Sequence, residues 1–321
     1  MRPVSIFKIQ DNPDSPDLLI QIENYLTQEL LDRLEIIKIT PQKILVLGQS
    51  AGTEDLLKKL QNRYSKSAII LLSLSDSDFV SAPALETDPK GQRGGRKIDW
   101  PSKLSKIFKL PHSPVNKISG SFDSLPFIKN SFDLIISNLH IFNSDLKKSL
   151  PELSRILKKD GLLMLTLPGP DTFLELRQAM AYIDSHTHVP IFPDMHDLGD
   201  QLIKAKFKDP VVDSERFILN LKNLEILLKN LKKIKKYKNI KLKQDPNFPR
   251  FLYAKNKFDI FKKNYLINSQ GAYPVQFEIT FAHAWGTDPQ QTIDLEGYAR
   301  VSLEGLKDSL KKESLRSPPD K

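Results

Sequence analysis

Ser131-Phe132-Asp133-Leu134-Ile135-Ile136-Ser137-Asn138 and Gly161-Leu162-Leu163-Met164-Leu165-Thr166-Leu167 decide how this chain folds. The core of each run, 132–137 and 162–167, has no polar alternation. Strands covered on both faces read this way, and such strands belong to parallel sheets held between helices. Between the runs, Leu146, Leu150, Leu153, Ile156 and Leu157 recur at helical spacing. Lys158, Lys159 and Gly161 then read as the end of that helix, where cations and glycine are favoured. The unit is strand–helix–strand, one crossover of a doubly wound sheet.

Upstream, 18–37 has a helical pattern, with Leu19, Ile22, Leu26, Leu30 and Leu34 near one face and Pro41 beyond it. Residues 43–47 read as the first strand, 48–52 as a glycine turn, 53–62 as a helix and 67–72 as the second strand. The stretch 73–116 is long, with scattered Pro, Gly and Ser. A loop of that length is either disordered or functional. Within it, 103–110 reads as a short amphipathic helix. Downstream, a helix is expected through Asp184, another over 197–206, and a strand over 210–217. Leu221, Leu224, Leu228 and Leu231 mark an apolar stripe on a lysine-crowded helix within 222–243. Residues 276–285 read as a final, antiparallel strand. Residues 1–17 and the tail beyond Ser314 are expected to be loose. The expected fold is α/β: a doubly wound, mostly parallel seven-stranded sheet with a helical cap. Residues 1–40 form an N-terminal segment and helix, 41–217 the core, 218–272 a lysine-rich cap, and 273–321 the last strand and tail.

The chain has 321 residues, 40% apolar and 27% charged, as soluble globular proteins do. It has no cysteine, which excludes disulfides, thiolate metal sites and a cysteine nucleophile, and fits a reducing compartment such as the cytoplasm. No secretory signal and no membrane-spanning run is legible. The net charge of +9 favours acidic partners without choosing one.

Several motifs carry a family resemblance. Leu125-Pro126-Phe127, then 131–139, then Leu150-x-Glu152-Leu153-x-Arg155-Ile156-Leu157-Lys158-x-x-Gly161 resemble the second half of a class I S-adenosylmethionine (SAM)-dependent methyltransferase. The segments 169–177, 192–200, 209–213 and 277–285 narrow this to the malonyl-acyl-carrier-protein O-methyltransferases of biotin synthesis. The mitochondrial complex I assembly methyltransferase-like protein is a close relative of that group. The resemblance implies SAM as cofactor, the malonyl thioester of acyl carrier protein as substrate, and an acidic carrier as partner for the basic surface.

It also implies a cofactor site at Gly48, Gln49, Ser50, Ala51, Gly52, Ser73, Ser121, Phe122 and Asn138. A strand, a glycine turn and a helix aim backbone N–H groups at a ligand, and small residues permit its close approach. The family's middle glycine is Ser50. Its aspartate before the turn is Val46, its ribose acid is Ser73 and its adenine aspartate is Ser121. Asp76 and Asp123 are candidate substitutes. Each lost charge-assisted hydrogen bond costs roughly 1.5–3 kcal/mol. A non-catalytic binding or assembly factor on the same fold is therefore the alternative to the enzyme. The family's upstream tyrosine is missing; Tyr25 lies inside the helix instead.

Methyl transfer to a carboxylate needs no general base, because the acceptor is already ionised near neutral pH, and no catalytic side chain is assigned. An arginine fork suits the malonyl carboxylate. Arg177 and Arg216 are the candidates, with Arg177 favoured. The competing reading of Arg177 is a surface pairing with Glu175 or Asp171. His186, His188, Asp194, His196 and Asp197 look like metal ligands, yet 194–200 reads better as a helix-capping segment, so no metal is expected. His283 and Trp285 read as packing residues. Gly91–Arg96 resembles a single arginine–glycine box. With few aromatics among the lysines, no nucleic-acid partner is expected.

Overall fold

The computed structural model describes residues 5–6, 18–74, 115–185, 189–237, 255–287, 292–293 and 299–300. The expectations for 7–17, for 75–114 with its short helix, Asp76 and the arginine–glycine box, for His186 and His188, for 238–254 and for the tail fall outside them.

The strands are β1 (Ser5–Ile6), β2 (Lys43–Leu47), β3 (Ala68–Leu74), β4 (Asn116–Gly120), β5 (Phe132–Asn138), β6 (Leu157–Pro168), β7 (Lys208–Leu221) and β8 (Tyr273–Trp285). They form one sheet in the order β1-β7-β8-β6-β5-β2-β3-β4. All neighbours are parallel except β8, which runs antiparallel to β6 and β7. The six strands read from the sequence are present, β4 supplies the seventh of the expected sheet, and the two-residue β1 adds an eighth at the edge. The helices are α1 (Leu18–Ile37), α2 (Ala51–Arg63), α3 (Leu146–Ile156), α4 (Leu174–Met180), α5 (Met195–Lys204), α6 (Leu224–Tyr237) and α7 (Lys255–Asn264). A separate ribbon pairs β9 (Thr292–Ile293) with β10 (Ala299–Arg300).

Strand alternation sorts the apolar residues into a core on each face. Ile44, Val46, Ile69, Leu71, Leu134 and Ile136 meet Ile22, Leu26, Leu30 and Leu34 of α1, with α2, α4, α6 and α7. Leu45, Leu47, Ile70, Leu72 and Ile135 meet Leu150, Leu153 and Ile156 of α3, with α5. Leu224, Leu228 and Leu231 of α6 pack into the same core as the sheet, and Lys229 is exposed.

Several boundaries differ from expectation. Strand β7 runs on to Leu221, so that leucine, read as part of the helical stripe, belongs to the strand, and α6 begins at Leu224. Lys158, Lys159 and Gly161 lie in β6, not at the end of α3, which stops at Ile156. Leu157 already pairs with Phe132, and the register then jumps to Leu134 against Leu162. The residues between bulge outward: Lys158 reaches Asp133 at 2.7 Å, and Asp160 donates its N–H to Gly286 at 3.0 Å. Helix α4 ends at Met180 rather than running to Asp184.

Parallel sheets of this kind take ligands at the carboxyl ends of their strands, where the chain order reverses. Here the reversal falls between β2 and β5.

Candidate active site

Gly48 follows β2 in the left-handed region, at φ +89°. Its N–H bonds Leu72 O at 2.7 Å, turning the chain sharply toward α2. Ser50 is extended, at φ −153° and ψ 174°, so a serine sits in the family's glycine position without backbone strain. It also caps α2, accepting from Thr53 N at 3.1 Å. Ser50 thus needs no positive φ, and the turn holds its side chain as the helix cap.

The space over the turn is filled by the protein itself. Glu23 of α1, only 4% exposed, accepts from Ser50 Oγ at 2.6 Å and from Gly52 N at 3.2 Å, both through Oε2. His140, 6% exposed, packs its ring against Gly48, and its Nε2 lies 3.2 Å from Thr53 Oγ1. Ser50 Oγ and Thr53 Oγ1 are 2.9 Å apart, which completes the chain Glu23–Ser50–Thr53–His140. A Cβ on Gly48 would overlap the His140 ring, and one on Gly52 would overlap Glu23. These glycines are needed for close approach, but what approaches is a histidine and a glutamate of the same chain. In this arrangement the turn does not fit the amino-acid end of SAM.

Asn138 ends β5 and is buried. It donates Nδ2 to Glu23 O at 2.9 Å and to Thr27 Oγ1 at 3.1 Å, and its Oδ1 accepts from Thr166 Oγ1 at 2.8 Å. It pins α1 across the strand ends. Among the described residues, the Ser73 hydroxyl makes long contacts, at 3.4 Å, to Ile118 O and Ser119 Oγ. Ser121 receives Asp123 N at 3.2 Å. Phe122 is a core residue packed with Leu45, Leu47 and Leu72. Gln49 is exposed, and Ala51 begins α2. Val46 lies fully inside the core. Tyr25 points away from the turn, its hydroxyl 3.5 Å from Glu215; burial first, then nearby carboxylates, pushes its pKa up to about 12.

A second cluster joins the two arginines. Glu278 of β8 is buried, accepting from Asp171 N at 2.8 Å and from Ser214 Oγ at 3.1 Å. Its backbone exchanges bonds with Thr172 Oγ1 at 2.7 and 3.1 Å and accepts from Gly169 N at 2.7 Å. A Cβ on Gly169 would strike the Glu278 side chain, so the loop 169–172 requires glycine there. Arg216 reaches Asp171 at 2.7 Å and Glu278 at 3.5 Å. Arg177 donates to Pro170 O at 3.1 Å. Glu175 turns instead to Gln276 N at 3.0 Å. The two arginines thus flank one loop. The surface pairing considered for Arg177 is not the one formed: Asp171 goes to Arg216 and Glu175 to the backbone.

Asp194 caps α5 through Asp197 N at 2.7 Å. Among the described residues no group of three acids, histidines or cysteines could hold a metal. His283 lies half-buried in β8, where burial first, then Arg33, holds its pKa below the ordinary imidazole value. Trp285 packs at the edge of the core. Among the described residues no helix is long and apolar enough to cross a membrane.

Sequence reasoning missed Glu23, Thr27, Thr53 and His140. One signal was available: Glu23 and Thr27 fall on the apolar side of α1, between Leu19, Ile22, Leu26 and Leu30, where a polar residue needs an internal partner.

A family model described as a methyltransferase domain matches residues 98–165. A malonyl-[acyl-carrier protein] O-methyltransferase of Legionella pneumophila is 32% identical over 293 residues, 90% of this chain and 93% of that one. Malonyl-[acyl-carrier protein] O-methyltransferase 1 of Coxiella burnetii is 32% identical, covering 82% of this chain and 80% of its own. Among solved structures, the YcgJ protein of Bacillus subtilis superposes with a TM-score of 0.46 at 13% identity, over 82% of this chain and 99% of that one.

Proposed function

This chain belongs to the malonyl-[acyl-carrier protein] O-methyltransferase family, and we propose that it esterifies the free carboxylate of a malonyl thioester carried by acyl carrier protein. The match at 32% identity across 90% of the chain carries this reading. SAM, when bound at the turn, would supply the electrophilic methyl group. The acceptor carboxylate is already an anion near neutral pH, so the protein needs no base. Its task is to hold that anion in line and exclude water.

Arg177 is the residue for the first part. Its described bond goes to a neutral carbonyl, Pro170 O, whereas Arg216 is held by two carboxylates. A guanidinium that binds no carboxylate among the described residues offers the malonyl end its two-pronged contact. Arg216 and Glu278 hold the loop that places Arg177. The segment read as the cap is rich in lysine, and Lys222 and Lys229 are exposed, which suits an acidic carrier. Such a carrier and product belong in the cytoplasm, on the route to biotin.

The test is transfer of radiolabelled methyl from SAM to malonyl-acyl carrier protein. A base-labile label on the carrier is expected, and Arg177→Ala should raise KM for the carrier more than it lowers kcat. Absence of label, with calorimetric heat on adding the carrier, would replace this reading by the second one: a binding factor on the methyltransferase fold. The neutral residues at Val46, Ser73 and Ser121 are what favour that second reading.

A further inference from the structure

The turn before α2 is built as a small-molecule anchor, yet two side chains of the chain occupy it. Helix α2 is long enough, at 13 residues, for its N-terminus to attract an anion. The anion there is Glu23, whose Oε2 takes the Ser50 hydroxyl and the Gly52 N–H. Both donors lie where a ligand resting on the turn would need them. Nearby, the His140 ring takes the close approach to the backbone that the absent side chain of Gly48 permits. Both groups are buried, and they are joined through Ser50 and Thr53, so they close the turn as one unit.

We propose that Glu23 and His140 form a latch over the donor site, with the Glu23 carboxylate standing in for the carboxylate of the donor's amino-acid end and the His140 ring filling the space above Gly48. The inference rests on the reading that SAM is the donor, and it names how access to that site is controlled. Two consequences follow from the chemistry. A ligand with an amino-acid end must expel Glu23, because two carboxylates at one pair of donors repel each other. A ligand with the same nucleoside but no amino-acid end need not. The closed form therefore lowers the apparent affinity for SAM and its product in proportion to the fraction of open molecules.

The full chain is titrated by calorimetry with S-adenosylhomocysteine and, separately, with 5′-methylthioadenosine, which lacks the amino-acid carboxylate and amine. The wild type, Glu23→Gln, and the double variant Glu23→Ala with His140→Ala are compared. The double variant is expected to bind S-adenosylhomocysteine at least about tenfold more tightly than the wild type, with Glu23→Gln in between. Methylthioadenosine affinity is expected to change less than about twofold. Equal or weaker binding of S-adenosylhomocysteine by a folded variant overturns the latch. A parallel rise for both ligands also overturns it, since that reports general loosening. Folding is checked by circular dichroism and melting. If the double variant fails to fold, Glu23→Gln, which keeps the side-chain shape, decides alone. No carrier protein is present, so a missing methyl ester in the transfer assay and a missing gain here are separate failures.

Discussion

Replacing Glu278 by glutamine keeps its volume and removes its charge from beneath the loop 169–172. In the native protein one carboxylate oxygen takes Asp171 N at 2.8 Å, the other takes Ser214 Oγ at 3.1 Å, and Arg216 stands 3.5 Å away. A glutamine amide can still accept from Asp171 N, as a neutral acceptor, and Ser214 can rotate to accept from its amide N–H. Its NH2 group then faces the Arg216 guanidinium, donor against donor. One charge-assisted bond falls to the neutral range, a difference of roughly 1–1.5 kcal/mol. The half-exposed Arg216 contact adds at most about 1 kcal/mol after solvent screening. The expected loss is about 1–2.5 kcal/mol. Unfolding entropy scales to roughly 0.7 kcal/mol/K for a chain of this length, so the melting midpoint should fall by about 1.5–4 °C. Glu278→Ala leaves the Asp171 N–H without its acceptor and opens a void. It should cost about 3–5 kcal/mol, or roughly 4–7 °C. Melting followed by circular dichroism reads both. In the transfer assay the same variants should raise KM for the carrier, because the loop holding Pro170 O has lost its floor. Glu278→Ala melting within about 1 °C of the wild type would show that something other than this buried acid fixes the loop.

Other outcomes are expected elsewhere. Gly48→Ala combines a left-handed φ of +89° with an overlap on the His140 ring; it should cost about 1–2 kcal/mol from backbone strain alone, with more from displaced histidine, read as a lower denaturant midpoint. Val46→Asp, which restores the family's acid, places a carboxylate in a fully buried apolar core. It should destabilise by several kcal/mol and lower soluble yield instead of improving donor binding. His283 is held below its ordinary pKa by burial and Arg33, with Asp213 opposing. The unfolded state therefore binds this proton first: the stability it contributes is present above about pH 6.5 and is lost as pH falls through the lower folded value. His283→Gln should flatten that part of the stability–pH curve, measured by denaturation at pH 5, 6 and 7.

The sheet was legible because its evidence is local. Residues 132–137 and 162–167 have no polar face, and a strand without one fits only the middle of a covered parallel sheet. The extent of β6 was not legible. Lys158 and Gly161 resemble a helix end in sequence, and only the pairing of Leu157 with Phe132 shows that the strand has already begun. The motifs around Gly169 and Glu278 could be quoted from the sequence but not explained, because their reason is a contact between residues 109 apart in the chain (278 − 169 = 109). The closure of the turn was illegible for the same reason. Gly48 and Gly52 promise room for a ligand, and whether that room is free depends on Glu23 and His140, which approach from α1 and from the loop after β5. A residue's type is visible in one sequence; a side chain of another element that fills the space above a turn is not.

How the latch opens is constrained by what holds α1. Arg33 donates to both oxygens of Asp213, at 3.1 and 2.9 Å, and to Glu215 at 3.1 Å, while its guanidinium lies 4.1 Å from the centre of the Phe281 ring. Glu23 lies about 15 Å from it along the same helix. At the Glu23 end, Asn138 holds the helix backbone itself through Glu23 O. Swinging the whole helix away would break both anchors and strip Ile22, Leu26, Leu30 and Leu34 from the core. Burying those four side chains is worth roughly 6–12 kcal/mol, more than a small ligand's contacts at the turn would return. Rotating the Glu23 side chain alone breaks its bonds from Ser50 Oγ and Gly52 N, about 3–6 kcal/mol before water replaces them. The opening motion is therefore a side-chain swing of Glu23 and His140 over a stationary helix. Arg33→Met should accordingly lower the melting temperature and leave the affinity for S-adenosylhomocysteine nearly unchanged. A large gain in affinity from that variant would mean that the helix, not the side chain, is the moving part.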